Sequence, residues 1–224
     1  MWRFISVIVL ALAPLARGDE GAKKTLHPLD NKYAALAAYY KSEQMDFSQI
    51  FTALCRQALS NADNDPQLKL EDHVRSMFGG LWLWTQGNGG TPILQGRMDW
   101  AFHFIGGGAF EGYFDIGHSA ALVKERIDSR DPHNRFDLDD MAATILGARW
   151  MNLAVRPEGR RWIERWASGT STLARSLPKL QYGQMPQGKE ASEQAIEKIR
   201  NDMQSALTPD SPTTPPVSPP PSKN

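Results

Sequence analysis

Cysteine is nearly missing from this sequence, and neither sign of charge is in excess. One cysteine, Cys55, occurs in 224 residues, which excludes an intramolecular disulfide and a C-x-x-C metal site. Lysine plus arginine and aspartate plus glutamate each number 25, so no overall field favours nucleic acid as a partner. The motifs G-x-G-x-x-G, G-x-x-x-x-G-K-[ST] and H-E-x-x-H are also missing. The sequence therefore lacks the phosphate loops and the zinc-protease helix that those motifs mark.

Long apolar runs are missing as well, apart from residues 4–15. That run is about a dozen residues, which is too short to span a bilayer comfortably. Arg3 precedes it and the small-x-small pattern at residues 16–18 follows it, an order typical of a secretory signal peptide. We expect cleavage near Gly18 and an exported protein that is periplasmic, envelope-associated or secreted. An uncleaved membrane anchor is the alternative.

Helical periodicity dominates the remainder of the chain. Phe47, Ile50, Phe51 and Leu54 share one face of a helix that starts at Asp46 or at Ser48. Another helix is predicted to start at an Asp30 N-cap, and His73, among charged neighbours, is predicted to be solvated. With 41% hydrophobic residues, the chain can bury one core. We therefore predict an all-α protein with a single helical bundle-like domain.

The predicted organisation has five parts. Residues 1–18 are the signal peptide, 19–29 a flexible lead-in, and 30–177 the helical domain. Residues 178–207 form a linker and a weak amphipathic helix, which could pack on the domain or project from it. Residues 208–224 (TPDSPTTPPVSPPPSKN) are a proline-rich tail whose composition predicts disorder.

The central stretch, residues 97–153, carries most of the candidate chemistry. One long helix is predicted from Met98 to Ser129, and the three glycines at 106–108 would either bend it or admit another helix closely. Asp137 is the predicted N-cap of the next helix. Because the predicted turn is short, the two helices should form an antiparallel hairpin. Four carboxylates would then meet at one end of it, those of Glu125, Asp128, Asp137 and Asp140.

Such a cluster could bind a divalent cation and activate water for hydrolysis. Neutralisation by nearby arginines, and a favourable position at a helix N-terminus, are the structural alternative. His103 is an outside candidate, since Asp99 lies four residues before it on the same helical face. On a straight helix His103 would be about 33 Å from Glu125. The sequence therefore predicts two separate polar features.

A gapped pattern in the same stretch resembles the VanZ-like and YfiM-like envelope families. The pattern is D-x-x-x-H-F, then K-E-x-x-D, then F-x-x-x-D-x-x-A-x-x-x-G, carried here by Asp99, His103, Phe104, Lys124, Glu125, Asp128, Phe136, Asp140, Ala143 and Gly147. It covers about a quarter of the chain. Thr144 stands where the VanZ-like pattern has asparagine, and clean transmembrane helices are missing. The resemblance implies an envelope-located helical module without an assigned reaction.

Three functions follow from these patterns. The first is a non-catalytic structural or interaction module whose partner is an envelope protein or a membrane surface, with no cofactor expected. The second is a metal-dependent hydrolase built on the carboxylate cluster, for which a divalent metal is possible. The third is peripheral membrane binding through Trp162 and Trp166, which are four residues apart among arginines. Tryptophans at helical spacing could equally belong to the core.

Overall fold

A computed structural model describes residues 27–65, 67–87, 91–117, 119, 121–123, 137–169 and 179–207. Within them the chain is all-helical, which confirms the predicted fold class. The predicted signal peptide and proline-rich tail lie outside the described residues. The main helices are α1 (Pro28–Ser42), α2 (Phe47–Asn64), α3 (Leu70–Gln86), α4 (Met98–Phe114), α5 (Leu138–Ala154), α6 (Gly159–Ala167) and α7 (Lys189–Ala206).

Side-chain caps determine where the first helices begin. Of the two predicted starts of α2, the structure has Asp46 as the cap. Its carboxylate accepts from Gln49 N–H and the Gln49 side chain accepts from Asp46 N–H. The prediction of an Asp30 cap on α1 was wrong. His27 is the N-cap, and Asp30 lies at the third helical position, where its carboxylate accepts from His27 N–H. A histidine cap followed by proline has no strong sequence signature.

The core is an aromatic cluster centred on α2. The Phe51 ring packs edge-on against Trp150 of α5 at 5.0 Å and against Trp166 of α6 at 5.9 Å. The predicted inner face of α2 is buried as expected, and Cys55 is fully buried within it. Trp162 packs 5.7 Å from Trp166, and these two side chains are only 7% and 1% exposed. Both tryptophans therefore belong to the core, so their rings do not present a membrane-facing surface.

The two central helices, α4 and α5, pack closely against each other. Gly107 lies against the backbone of Thr144, and Gly147 lies against the backbone of Phe104. An ideal Cβ on Gly107 would be 2.0 Å from the Thr144 carbonyl oxygen, so only glycine allows this approach. The glycine run thus admits a second helix, which was one of its two predicted roles.

The orientation of this pair differs from the predicted antiparallel hairpin. Arg97 lies near Asp137, and Glu111 bonds Asn152, so residue numbers rise together along both helices. The pair is therefore parallel. The reason is that α4 ends at Phe114, where Asp115 adopts a left-handed conformation with φ of 55°. Helix α5 then begins at Leu138, 24 residues after the end of α4 and beside its start.

The C-terminal part of the described chain also packs on the domain. Residues 179–188 cross the start of α5, where Leu138 N–H donates to Gly183 carbonyl at 2.9 Å. Helix α7 follows and buries Ile199 and Met203 completely. It therefore packs rather than projects. Among the described helices, none combines the length and apolar character that crossing a bilayer requires.

Candidate functional site

The parallel packing brings the first turns of α4 and α5 side by side, and the candidate residues meet there. His103, Asp137 and Asp140 of the predicted site lie at this junction, together with Arg97 and Asp99. We call these five residues the N-terminal junction. Glu125 and Asp128 lie outside the described residues. For the described part of the cluster, the prediction that His103 is remote was wrong.

Arg97 is the centre of the N-terminal junction. Its guanidinium donates to both carboxylate oxygens of Asp99, with Nε 3.0 Å from Oδ1. Its Nη2 is also 3.7 Å from Asp137 Oδ2 and 3.7 Å from Asp140 Oδ1. The guanidinium stacks on the Trp100 ring at 4.5 Å. One cation thus lies among three carboxylates from the starts of two helices.

His103 is held by two groups of α5. Its Nε2 is 3.2 Å from Asp140 Oδ2, and its Nδ1 is 3.0 Å from Thr144 Oγ1. The Thr144 hydroxyl also donates to the Asp140 carbonyl at 3.0 Å. A hydroxyl has one proton, so in this arrangement His103 Nδ1–H is the donor to Thr144. The Nε2 atom then faces the Asp140 carboxylate. The predicted Asp99–His103 pair is replaced by this contact across the helices.

Asp139, between the two junction aspartates, faces elsewhere. Its carboxylate accepts from Tyr182 N–H at 2.6 Å and from Gly183 N–H at 3.3 Å. It is 8% exposed, and it fastens the C-terminal segment to the start of α5. Asp137 caps α5 by accepting from Asp139 N–H at 2.8 Å. The three aspartates of residues 137–140 therefore have three different roles. Asp137 caps α5, Asp139 binds the C-terminal segment, and Asp140 contacts His103.

The surroundings of Asp137 and Arg97 in the N-terminal junction shift the pKa values of both groups. Burial, followed by the neighbouring Asp140 charge, raises the pKa of Asp137 above its ordinary value. The hydrogen bond from Arg97 to Asp99 raises the pKa of the Arg97 guanidinium, and Asp140 and Asp137 add to that effect. In the N-terminal junction the carboxylates therefore repel one another, and the positive charge of Arg97 offsets part of that repulsion.

This arrangement limits the chemistry that the junction can perform. A divalent cation would need the space between Asp99, Asp137 and Asp140, and the Arg97 guanidinium occupies it. Within the described ranges, no group of three or more His, Cys, Asp or Glu side chains is arranged to hold a metal ion. The order Asp140–His103–Thr144 is that of a nucleophile triad. However, Thr144 is only 6% exposed and donates its proton to a helix carbonyl, so its oxygen is not offered to a substrate.

Arg97 and Thr144 were not among the predicted site residues. Arg97 stands just before α4 and Thr144 stands one turn after Asp140. Neither position belongs to a recognisable sequence motif. The packing of α4 on α5 brings Arg97 to Asp137 and Asp140, and it brings Thr144 to His103. The signal that could have pointed to Arg97 is the excess of acid in the first turns of two neighbouring helices, which calls for a cation.

A second polar network, buried between α1, α3 and α4, was also missed. Tyr113 Oη donates to Asp30 Oδ1 at 2.6 Å, and Tyr33 Oη is 3.2 Å from His73 Nδ1. Asp30 is fully buried and His73 is 1% exposed, so the prediction of a solvated His73 was wrong. Burial lowers the pKa of His73 and raises that of Tyr33 to about 12. Both side chains are therefore neutral, and they connect helices.

An open cleft of about 510 Å³ lies between the 179–188 segment and α7. Tyr182 lines it, and its hydroxyl donates to Asp202 Oδ2 at 2.8 Å. Lys198 lies over the Tyr182 ring at 5.1 Å and pairs with Asp202. Tyr182, Lys198 and Asp202 thus bind one another, and none of the residues that line the cleft belongs to the N-terminal junction.

Comparisons of the chain with protein-family models, with curated proteins and with solved structures found no match. The resemblance of residues 99–147 to the VanZ-like and YfiM-like families therefore stays a prediction.

Proposed function

We propose that this chain is an exported, envelope-associated interaction protein without a catalytic role. The observation that carries the proposal is a partly exposed group of aromatic rings on α3 and α4. It consists of Trp82, Phe110 and Phe114, which we call the aromatic patch. Export is proposed from the sequence of residues 3–18.

The aromatic patch is continuous and lies at the edge of the core, against which Trp82 packs. The Trp82 and Phe110 rings are 6.0 Å apart, and the Phe110 and Phe114 rings are 6.3 Å apart. Phe114 is 44% exposed, while Trp82 and Phe110 are half-buried. Clustered aromatic rings that remain accessible are enriched in protein interfaces, where they become the central contacts. The patch suits an apolar segment of another envelope protein.

The N-terminal junction supports a structural role rather than hydrolysis. Arg97 binds the carboxylates that a metal ion would need, and His103 is held between Asp140 and Thr144. Each group thereby joins α4 to α5. The proposal accordingly assigns no metal or cofactor to the chain. Addition of magnesium, calcium, manganese or zinc should leave the melting temperature of the purified protein unchanged. A rise that Asp140→Asn abolishes would favour the hydrolase.

Site-specific photocrosslinking in the producing cells tests the interaction surface. A benzophenone side chain at Phe114 should give a discrete protein adduct. The matched control is the same group at Tyr39 on α1, which is 57% exposed and lies outside the patch. The Phe114 adduct should be lost when Phe110→Ser is added. Absence of any protein adduct at 114, or the same adducts at 39 and 114, would contradict the proposal. Crosslinking to lipid alone would point to a membrane surface instead.

A further inference from the structure

The cleft between the 179–188 segment and α7 is held in shape by contacts on both of its sides. Tyr182 N–H donates to the Asp139 carboxylate of α5 at 2.6 Å, and the Tyr182 hydroxyl donates to Asp202 of α7 at 2.8 Å. Lys198 lies over the same ring at 5.1 Å. The volume of about 510 Å³ is within the usual range of about 300–1,000 Å³ for small-molecule sites. A ligand therefore meets groups that are already positioned, and little affinity is lost in ordering them.

Three polar side chains that line this cleft still have hydrogen-bonding capacity. Tyr182 and Lys198 both approach the same oxygen of Asp202, Oδ2, so the other oxygen, Oδ1, has no donor among the described residues. Lys179 and Gln181 also line the cleft, and both are exposed. Within the described ranges neither of these two side chains has an ion-pair or hydrogen-bond partner. The cleft thus offers an ammonium group, an amide and a carboxylate oxygen to a ligand.

This set of groups selects a ligand that combines a negative charge with hydrogen-bond donors. The Lys179 ammonium is a point charge that favours an anion. Asp202 Oδ1 is an acceptor, so it requires a hydroxyl or N–H and repels an anion. A simple carboxylate has the charge without a donor, and a neutral sugar has donors without the charge. A sugar acid has both, because one small ring carries a carboxylate and several hydroxyls.

The remaining lining of the cleft suits a sugar ring as well. Leu138, Pro186 and Ala195 supply apolar surface beside the polar groups. The C–H side of a sugar ring is apolar, so packing on this surface removes apolar area of both partners from water. The polar edge of the ring then remains directed to the three side chains with free capacity.

We propose that this cleft binds a uronic acid sugar. Lys179 binds the sugar carboxylate, Asp202 Oδ1 accepts from a ring hydroxyl, and the Gln181 amide donates to and accepts from neighbouring hydroxyls. The site shares no residue with the aromatic patch. Binding of a sugar here and binding of a protein at the patch are therefore tested separately.

Isothermal titration calorimetry of the purified protein at constant ionic strength tests the cleft with a matched pair of disaccharides. Digalacturonate should bind. Galabiose, the same disaccharide without the carboxylates, should bind about tenfold more weakly, because it lacks the charge-assisted contact with Lys179. Lys179→Gln should weaken digalacturonate binding about tenfold and leave galabiose binding unchanged. Gln181→Ala should weaken the binding of both sugars several-fold, because the lost hydrogen bonds are common to them.

Lys189→Gln is the matched control, since Lys189 is an exposed lysine of α7 that does not line the cleft and its loss changes the net charge equally. It should bind digalacturonate like the wild type. Lys179 and Gln181 are exposed, so their variants should keep the wild-type melting temperature, which separates lost binding from lost folding.

Two results would overturn the proposal. The first is that neither sugar binds, or that Lys179→Gln and Lys189→Gln change digalacturonate binding equally. The second is that triglutamate binds and neither sugar does, which would assign the cleft to an acidic peptide.

Discussion

Replacing Gly107 by alanine should force α4 and α5 apart. The new Cβ would be 2.0 Å from the Thr144 carbonyl oxygen and 2.8 Å from its carbonyl carbon. Both obstacles are backbone, so no side-chain rotation relieves the contact. Separation by about 1.5 Å is needed to restore an ordinary van der Waals distance, and this loosens the packing of two central helices.

The magnitude follows from two opposing effects. Overpacking of a tight interior costs about 1–3 kcal/mol, and a backbone obstacle places this case at the upper end. Alanine gains about 1 kcal/mol over glycine in a helix. The net loss should be about 2 kcal/mol of the free energy of unfolding, which corresponds to roughly 4–8 °C in melting temperature for a domain of this size. Urea unfolding followed by circular dichroism measures it.

Gly106→Ala is the matched control within the same glycine run. Its Cβ would meet the edge of the half-buried Trp82 ring at 3.2 Å, and that side chain can shift by a few tenths of an ångström. Gly106→Ala should therefore stay within about 1 kcal/mol of the wild type. If Gly107→Ala were as stable as Gly106→Ala, the close backbone contact between α4 and α5 would be refuted.

Three further predictions concern the junction and the core. Thr144→Val should lower the free energy of unfolding by about 1–2 kcal/mol, because it leaves His103 Nδ1 without its hydrogen-bond partner. Thr144→Ser keeps the hydroxyl and should not lower it. Urea titration measures both variants. Asp137→Asn should raise the melting temperature at pH 7. The folded-state pKa of Asp137 is raised, so the stability it contributes is present below its unfolded pKa and lost as the pH rises through the folded pKa; the advantage of asparagine should disappear near pH 3. Trp166→Ala should cost about 3–5 kcal/mol and leave liposome co-sedimentation unchanged; lost membrane binding with unchanged stability would contradict its core position.

Local sequence patterns predicted the helices better than their arrangement. Asp46, one of the two predicted starts, caps α2, and Asp137 caps α5 as predicted, since capping depends on residues within one turn. The buried face of α2 also follows from spacing alone. In contrast, the end of α4 depends on a left-handed aspartate, Asp115. A non-glycine residue seldom takes that conformation, so no sequence signal marks it, and the predicted helix ran on to Ser129.

The end of α4 at Phe114 determines how α5 is oriented against α4, and therefore which residues meet at the N-terminal junction. A helix reaching Ser129 leaves a short turn and an antiparallel neighbour, whereas a helix ending at Phe114 leaves enough chain to return and start a parallel one. His103 then lies beside Asp140 rather than far from the carboxylates. The partner of His73 was missed for the same reason. Tyr33 is 40 residues away in sequence. The charged residues next to His73 in sequence therefore do not predict this contact.

The parallel arrangement also explains why so much acid collects at the N-terminal junction. Two adjacent N-termini place the positive ends of two helix dipoles together, which is unfavourable unless negative charge lies in the first turns. Asp99 of α4 and Asp137 and Asp140 at the start of α5 supply it, and Arg97 then relieves the repulsion among the three carboxylates. Helix packing thus accounts for the positions of Asp137 and Asp140, the part of the predicted metal cluster that the structure describes. The three carboxylates stabilise the positive ends of the α4 and α5 dipoles. The cation that they bind is Arg97, a residue of the same chain.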